Sequence, residues 1–285
     1  MTESHDREII GGHLLVIGGA EDKYNERRIL KRFIELAGGA DAAEILIIPV
    51  ASDFPEFAAD VYTQAFRNLG VANPRVLRAT SRQDVVNADV ERLVDGVTGV
   101  MMSGGDQMRL VSLLGGTKLA DALRKKVRES NVVMAGTSAG AAAMSTSMIV
   151  RGEPSSYPHK NAVKLSPGLG FLKNIIIDQH FSERGRISRL ISAVAYNPYY
   201  LGVGIDENTA IVLNGQGKLE VYGEGTATIV DGSAITFNEI AEVADNEAFS
   251  ICGVQFHVLR DGLVYNYLDR HPIQPPNEFL LPDLG

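Results

Sequence analysis

Short apolar runs that end in glycine or polar residues recur along the first two thirds of the chain, divided by longer segments in which apolar residues return every three or four positions. That alternation is how buried parallel strands and their crossover helices read. Residues 14–17, 45–50, 99–102, 132–135 and 175–177 are predicted strands, and Val76 and Leu77 begin a sixth. Between them, residues 25–37 place Ile29, Leu30, Phe33, Ile34 and Ala37 on one helical face, and residues 57–69 do the same with Val61, Tyr62, Ala65, Phe66 and Leu69. Thr117 is the expected N-cap of a third helix over 118–129, with Leu119, Ala122, Leu123 and Val127 inward. Its basic residues Arg124, Lys125, Lys126 and Arg128 read as a solvated face.

After about Tyr199 the pattern shortens to alternating runs divided by the turn pairs Asn214-Gly215, Asp231-Gly232 and Asp261-Gly262, from which antiparallel hairpins follow. The expected fold class is therefore α/β: a doubly wound, mostly parallel sheet with helices on both faces and an antiparallel C-terminal extension. Ligands of such sheets sit beyond the carboxyl ends of the strands. Residues 1–285 are expected to form one domain, with 1–12 and 272–285 as peripheral arms. From His271 onward Pro272, Pro275, Pro276 and Pro282 read as an extended surface segment suited to a dimer contact.

Composition narrows the partners. The chain carries 35 acidic and 27 basic residues, a formal net charge of −8, which disfavours nucleic acid or an anionic membrane and suits a cationic substrate. Cys252 is the only cysteine, which excludes an internal disulfide framework and a multi-cysteine metal site; it is expected as a small core residue. A reducing compartment tolerates such a chain. The first seven residues are polar and acidic, and no uncharged apolar run approaches roughly 18 residues, so a cytoplasmic location is expected.

The chemistry centres on Asn131-Val-Val-Met-Ala-Gly-Thr-Ser138-Ala-Gly-Ala-Ala-Ala-Met144, a buried strand, then Gly136-x-Ser138-x-Gly140, then an alanine-rich helix. A sharp strand-to-helix turn needs small neighbours, because backbone crowds a nucleophile held there on both sides. The turn lifts Ser138 Oγ above the sheet edge, with the amides of the new helix aimed at any oxyanion formed beside it. A tight turn with a capping serine would use the same residues. A phosphate loop would need glycine and lysine spacings that are absent.

A serine hydroxyl needs a general base within hydrogen-bond reach. His5 and His13 lie in or near the N-terminal arm, His257 in an alternating strand and His271 in the proline-rich tail. His159 and His180 remain, and His180 is preferred because it follows Ile175-Ile-Ile177-Asp178-Gln179, where a buried strand ends. The acid that fixes its tautomer is Asp178, Asp206 or Glu207, and spacing does not choose among them.

Taken together, these residues resemble those of the cyanophycinases, serine peptidases related to the aspartyl dipeptidases, on a fold like that of the class I glutamine amidotransferases. Five blocks carry the resemblance in order: Ile17-Gly-Gly-Ala-Glu-Asp22, Ser103-Gly-Gly-Asp-Gln107, Gly136-Thr-Ser-Ala-Gly-Ala141, Ile177-Asp-Gln-His-Phe181 and Gly204-Ile-Asp-Glu-Asn208. The resemblance implies Ser138 as nucleophile, His180 as base and Glu207 as acid. It also implies hydrolysis of cyanophycin, a poly-aspartate whose side-chain carboxylates carry arginine, to β-Asp-Arg dipeptides by a homodimer; acyl transfer through Ser138 and His180 requires no metal or cofactor.

Such a substrate presents guanidinium groups and carboxylates together, so its site should mix acidic and basic groups. The segment after His180 offers Arg184, Arg186 and Arg189 entering a helix, and the resemblance adds Gln107, Asp178 and Gln179 as substrate contacts. Gly104-Gly105 permits close backbone approach, so the N–H groups of Gly105 and Ala139 are the expected oxyanion donors. Gly18-Gly19-Ala20-Glu21-Asp22 lacks nucleotide-loop spacing and reads as a sheet-edge turn that shapes the site. The rivals are an aspartyl dipeptidase of the same lineage, a glutamine amidotransferase, which would want cysteine at position 138, a non-catalytic binding module, and an NAD-dependent dehydrogenase lacking its fingerprint.

Overall fold

The computed structural model describes residues 10–152 and 154–273. The first half of the chain alternates strand and helix: β1 (His13–Ile17), α1 (Arg28–Leu36), β2 (Ile45–Ile48), α2 (Pro55–Asn68), β3 (Arg75–Val76), α3 (Arg82–Asn87), α4 (Val90–Val94), β4 (Gly99–Met102), α5 (Gln107–Leu114), α6 (Lys118–Glu129), β5 (Val133–Thr137) and α7 (Ala139–Ala143). Its five strands pair in parallel in the order β1-β5-β4-β2-β3. Every residue of β2, β4 and β5 is buried. Helices on both faces require this, which is why the runs are continuously apolar.

The strand pleat divides the core. Leu15, Ile17, Ile45, Ile47, Met101, Val133 and Ala135 meet Ile29, Leu30 and Phe33 of α1 and Tyr62 and Phe66 of α2 on one face. Leu14, Val16, Leu46, Ile48, Val100, Met102 and Met134 meet α3, α5, α6 and α7 on the other. The α1 helix starts three residues later than its apolar period predicts. The Asp22 carboxylate takes the N–H groups of Tyr24, Asn25 and Arg27 into a turn first. Thr117 caps α6 as expected, accepting from the Ala120 N–H at 3.3 Å.

The remainder runs β6 (Ser147–Arg151), β7 (Lys164–Pro167), β8 (Ile175–Gln179), α8 (Ile187–Tyr196), β9 (Leu201–Ile205), β10 (Thr209–Asn214), β11 (Lys218–Gly223), β12 (Thr226–Asp231), β13 (Phe237–Asn238), β14 (Ile251–Cys252), β15 (Gln255–Arg260), β16 (Val264–Asn266) and β17 (His271–Ile273). The strands β10, β11, β16 and β17 extend the main sheet antiparallel from β1. Residues 175–177, expected in the main sheet, instead belong to a second sheet of order β15-β12-β9-β8, in which β8 and β9 are parallel. Ile175, Ile177, Val203, Ile205 and Ile229 of that sheet join the core beneath α7, while Ile176 and Val230 face Leu190, Ala193 and Val194 of α8. A buried apolar strand fits either sheet equally well, so its period does not say which it joins.

Of the three expected hairpins, only Asn214-Gly215 joins paired neighbours, β10 and β11. Asp231-Gly232 ends β12 and leads into a long excursion, and Asp261-Gly262 carries the chain from β15 in the second sheet to β16 in the main one. Cys252 is exposed and not a core residue, because its two-residue strand pairs only with β13 at the surface. The N-terminal arm is tied down from Gly11, whose N–H donates to Arg128 O at 3.1 Å, and the tail begins as edge strand β17. His5 and residues 274–285, including Pro275, Pro276 and Pro282, lie outside the described residues.

Candidate active site

Ser138 stands between β5 and α7 at φ 50° and ψ −112°, a conformation a side-chain-bearing residue keeps only when its surroundings enforce it. The enforcement is local. The Ser138 N–H donates to Ile17 O at 3.0 Å, and its carbonyl accepts the Ala142 N–H at 3.0 Å. A Cβ on Gly136 would lie 2.5 Å from Gly140 O, and one on Gly140 would lie 2.6 Å from Met102 O. Only glycine at both places lets strand, turn and helix pack this closely.

His180 follows the last residue of β8 at φ 48°. Its Nε2 lies 2.9 Å from Ser138 Oγ, and its Nδ1 lies 2.6 Å from Glu207 Oε1. An ionised carboxylate only accepts, so Nδ1 carries the proton and Nε2 is left to accept from the serine hydroxyl. The imidazole is mostly enclosed, its side chain 13% exposed, whereas Glu207 is 37% exposed. The three possible acids therefore separate by partner. Glu207 meets the imidazole, and Asp206 accepts from the N–H groups of Ser182 and Thr226 and from Thr226 Oγ1. Asp178 lies fully buried among arginines.

The turn after β1 holds Ser138, His180 and Asn208, the residue after Glu207. Successive carbonyls of Ile17, Gly18 and Gly19 accept the N–H groups of Ser138 at 3.0 Å, His180 at 2.8 Å and Asn208 at 2.9 Å. All three donors have φ near 50°. The Asn208 side chain returns the contact, its Oδ1 accepting from the Asp22 N–H at 3.0 Å. The expectation that residues 18–22 shape the site is realised as backbone hydrogen bonding that no spacing rule foretold.

Behind His180, Arg189 donates through Nε (2.7 Å) and Nη2 to the Asp178 carboxylate, and through Nη1 to Gly152 O at 2.5 Å. Arg186 donates to Asp178 Oδ1 at 3.3 Å and to Gln179 O, while its Nε is buried without a partner among the described residues. Burial pulls the Arg186 guanidinium down to about 10, against the attraction of Asp178. Two cations share one carboxylate here, so the cluster keeps a net positive charge. Gln179 is buried on β8 and Arg184 exposed in the turn before α8. Gln107 opens α5 and donates from Nε2 to Ile149 O and Val150 O.

Gly105 precedes α5, packed so closely on Ala51 that a Cβ there would lie 2.0 Å from its carbonyl oxygen. Its neighbour Gly104 lies against Ser138, a Cβ there falling 3.4 Å from Ser138 Cβ and 3.9 Å from Oγ. Ala139 is buried at the first position of α7. His159 lies in a loop bridged to Ala248. Among the described residues no group of three or more His, Cys, Asp or Glu could hold a metal ion, and no helix is long and apolar enough to cross a membrane.

Sequence reasoning missed one buried group beside the site. Glu21, 3% exposed, accepts from Thr137 Oγ1 at 2.6 Å and from the Tyr62 hydroxyl. The only signal was an acid following Gly-Gly-Ala at a strand end, which a solvated turn would display equally.

Comparison with known proteins finds relatives among the peptidases. The model of peptidase family S51 matches residues 14–221. A cyanophycinase from Synechococcus elongatus is 41% identical over 274 residues, covering 96% of this chain and 84% of the relative. One from Geminocystis herdmanii is 39% identical over 267 residues, covering 94% and 98%. Among solved structures, a peptidase from an acI-B1 Actinobacterium aligns with a TM-score of 0.65 at 23% identity over 91% of this chain and 98% of that one, a likeness of fold.

Proposed function

The chain belongs to peptidase family S51 and is a serine-type peptidase, and we propose that it hydrolyses cyanophycin to β-Asp-Arg dipeptides through an acyl-enzyme. The observation that carries the chemistry is the hydrogen-bonded chain Ser138 Oγ, His180, Glu207 at 2.9 and 2.6 Å. The substrate is supported by the relatives bearing the name cyanophycinase at about 40% identity along most of the chain.

In this reading Ser138 Oγ attacks a backbone carbonyl of the polymer while its proton passes to His180 Nε2. Glu207 stabilises the imidazolium that forms, and the N–H groups of Gly105 and Ala139 donate to the tetrahedral oxyanion. His180 returns the proton to the leaving amine, and a water, deprotonated by the same imidazole, then releases the acyl group. The unneutralised charge on Arg186 and Arg189, with Arg184 at the surface nearby, receives a substrate carboxylate, and Asp178 orients both buried guanidinium groups. Gln107 and Gln179 complete the substrate contacts.

Incubation with granular cyanophycin on one side and Asp-containing dipeptides on the other tests the reading. Release of β-Asp-Arg from the polymer, monitored by mass spectrometry, is expected; turnover of dipeptides alone would replace it with an aspartyl dipeptidase. The same reading makes the active form a homodimer in the cytoplasm. A monomer mass by light scattering at assay concentration would remove the first of these.

A further inference from the structure

We propose that Glu21 is a positioning residue for the proposed reaction: by pinning Thr137, the residue before Ser138, it fixes the strained turn against the segment whose carbonyls carry Ser138, His180 and Asn208. The inference rests on the roles proposed for Ser138 and His180.

Glu21 is three residues beyond Gly18, and its side chain is fully buried. A buried carboxylate is costly unless every lone pair is met. Here one oxygen accepts from Thr137 Oγ1 at 2.6 Å, and the other from the Tyr62 hydroxyl while meeting Lys23 Nζ at 3.0 Å. Lys23 turns back over the Tyr62 ring, 5.3 Å from its centre, and donates to Glu21 O. Burial, reinforced by the Glu21 charge, pushes the Tyr62 phenol well above its ordinary range, so it remains a donor wherever the enzyme works.

Three elements thereby meet on one carboxylate: the turn after β1, the inner face of α2, and the last residue of β5. An apolar side chain would fill the space, but it would not register those elements against one another. Registry is what the site needs, because two supports converge on the β1 turn. Ser138 hangs from Ile17 O on one side and His180 from Gly18 O on the other. The imidazole also packs against Gly19, where a Cβ would fall 2.3 Å from its Cε1. A shift of this segment relative to Thr137 would therefore alter the separation of Ser138 Oγ and His180 Nε2 directly. The φ of 50° at Ser138 is of the kind that relaxes when its neighbours loosen.

The test is the rate of covalent labelling of Ser138 by a fluorophosphonate, which reads serine activation without any peptide substrate, together with kcat and KM on cyanophycin. All are measured well below each variant's melting midpoint. Thr137→Val removes the hydroxyl at nearly constant volume and is expected to slow labelling and lower kcat by about tenfold or more, with KM within about twofold of wild type. Thr137→Ser, which keeps the hydroxyl, is expected to restore most of the loss. Glu21→Gln should fall in the same direction; if it fails to fold, the Thr137 pair decides. Labelling of Thr137→Val at the wild-type rate would overturn the inference, since a role in stability alone predicts a lower melting midpoint and an unchanged rate. A wild-type protein that does not label at all would remove Ser138 as nucleophile and this inference with it.

Discussion

Ser138 leaves the main sheet in a turn shaped largely by residues within four positions of it, whereas His180 and Glu207 leave the second sheet beyond the ends of two parallel strands. Around Ser138 the near residues are Gly136, Gly140 and Ala142, and the remote ones are Ile17, Met102 and, through Thr137, Glu21. His180 and Glu207 owe their proximity to register. Pairing of Asp178 with Gly204 and of Gln179 with Ile205 brings the ends of β8 and β9 level, and the Asp206 carboxylate then holds the loop after His180 through the Ser182 N–H. The conformation of Ser138, the proposed nucleophile, is thus shaped mostly by its near neighbours, whereas the meeting of His180 with Glu207 is wholly tertiary. Disturbing the first should distort a turn; disturbing the second should leave the turn intact and misplace a proton.

Four substitutions probe that contrast, taken from the largest effect downward. Ser138→Ala is expected to cost roughly a millionfold in kcat while leaving substrate binding nearly unchanged, as read by single-turnover kinetics and calorimetric titration. Near-wild-type turnover would end the proposed mechanism. Glu207→Gln should cost roughly a thousandfold to ten-thousandfold, because the amide lacks the charge that stabilises an imidazolium and its NH2 can donate to Nδ1 and hold the wrong tautomer. Because the Glu207 side chain is partly exposed and bonds His180 and not the backbone of the Ser138 turn, its melting midpoint should hold; a large drop would show that this carboxylate also holds the fold.

Gly140→Ala attacks the local side. Its methyl would press on Met102 O, so a loss of roughly 1–3 kcal/mol in urea denaturation should accompany the fall in kcat. Unaltered stability would mean that the turn accommodates a side chain after all. Asp206→Asn is the mildest. Burial alone would raise the Asp206 carboxyl, but hydrogen bonds from Ser182 and Thr226 outweigh it and hold the group below the usual carboxylate range. A depressed folded-state value contributes stability that is present above the unfolded value and disappears as pH falls through the folded one. The variant should therefore be less stable than wild type by roughly 1–3 kcal/mol near neutral pH, with the gap closing in acid below the ordinary aspartate range. A gap that persists unchanged in strong acid would assign the loss to shape and not to charge.

The same contrast explains what the sequence disclosed. The presence of the main-sheet strands, the helices α1, α2 and α6 and the Gly136-x-Ser138-x-Gly140 turn was legible because each is written within a dozen residues or so as period, cap or steric need, whereas several strand ends fall two residues from where the apolar runs stop. The location of β8 was not, since Ile175-Ile-Ile177 is equally apolar in either sheet. Asp231-Gly232 and Asp261-Gly262 carry good turn chemistry, yet a turn pair does not state whether the next strand returns to its neighbour or crosses to another sheet. Cys252 misled for a related reason, its size and polarity fitting a core while its strand has only one partner. Spacing left Asp178, Asp206 and Glu207 equivalent; the resemblance pointed to Glu207, and the partners each carboxylate meets in the fold separate the three. Glu21 was invisible because a buried acid and a solvated turn acid look alike until Tyr62 and Thr137 are brought beside it.

Gly18 and Gly19 leave the ribosome early, yet the groups that their carbonyls bind lie as far downstream as Asn208. Pairing of β1 with β10 must wait longer still, until residue 214 has been made. Assembly that depends on such distant partners is slow and comes late in synthesis. A growing polypeptide that has released Ser138 and His180 but not yet Glu207 therefore lacks the third member of the proposed triad, and the proposed mechanism has no complete site until synthesis has passed β10.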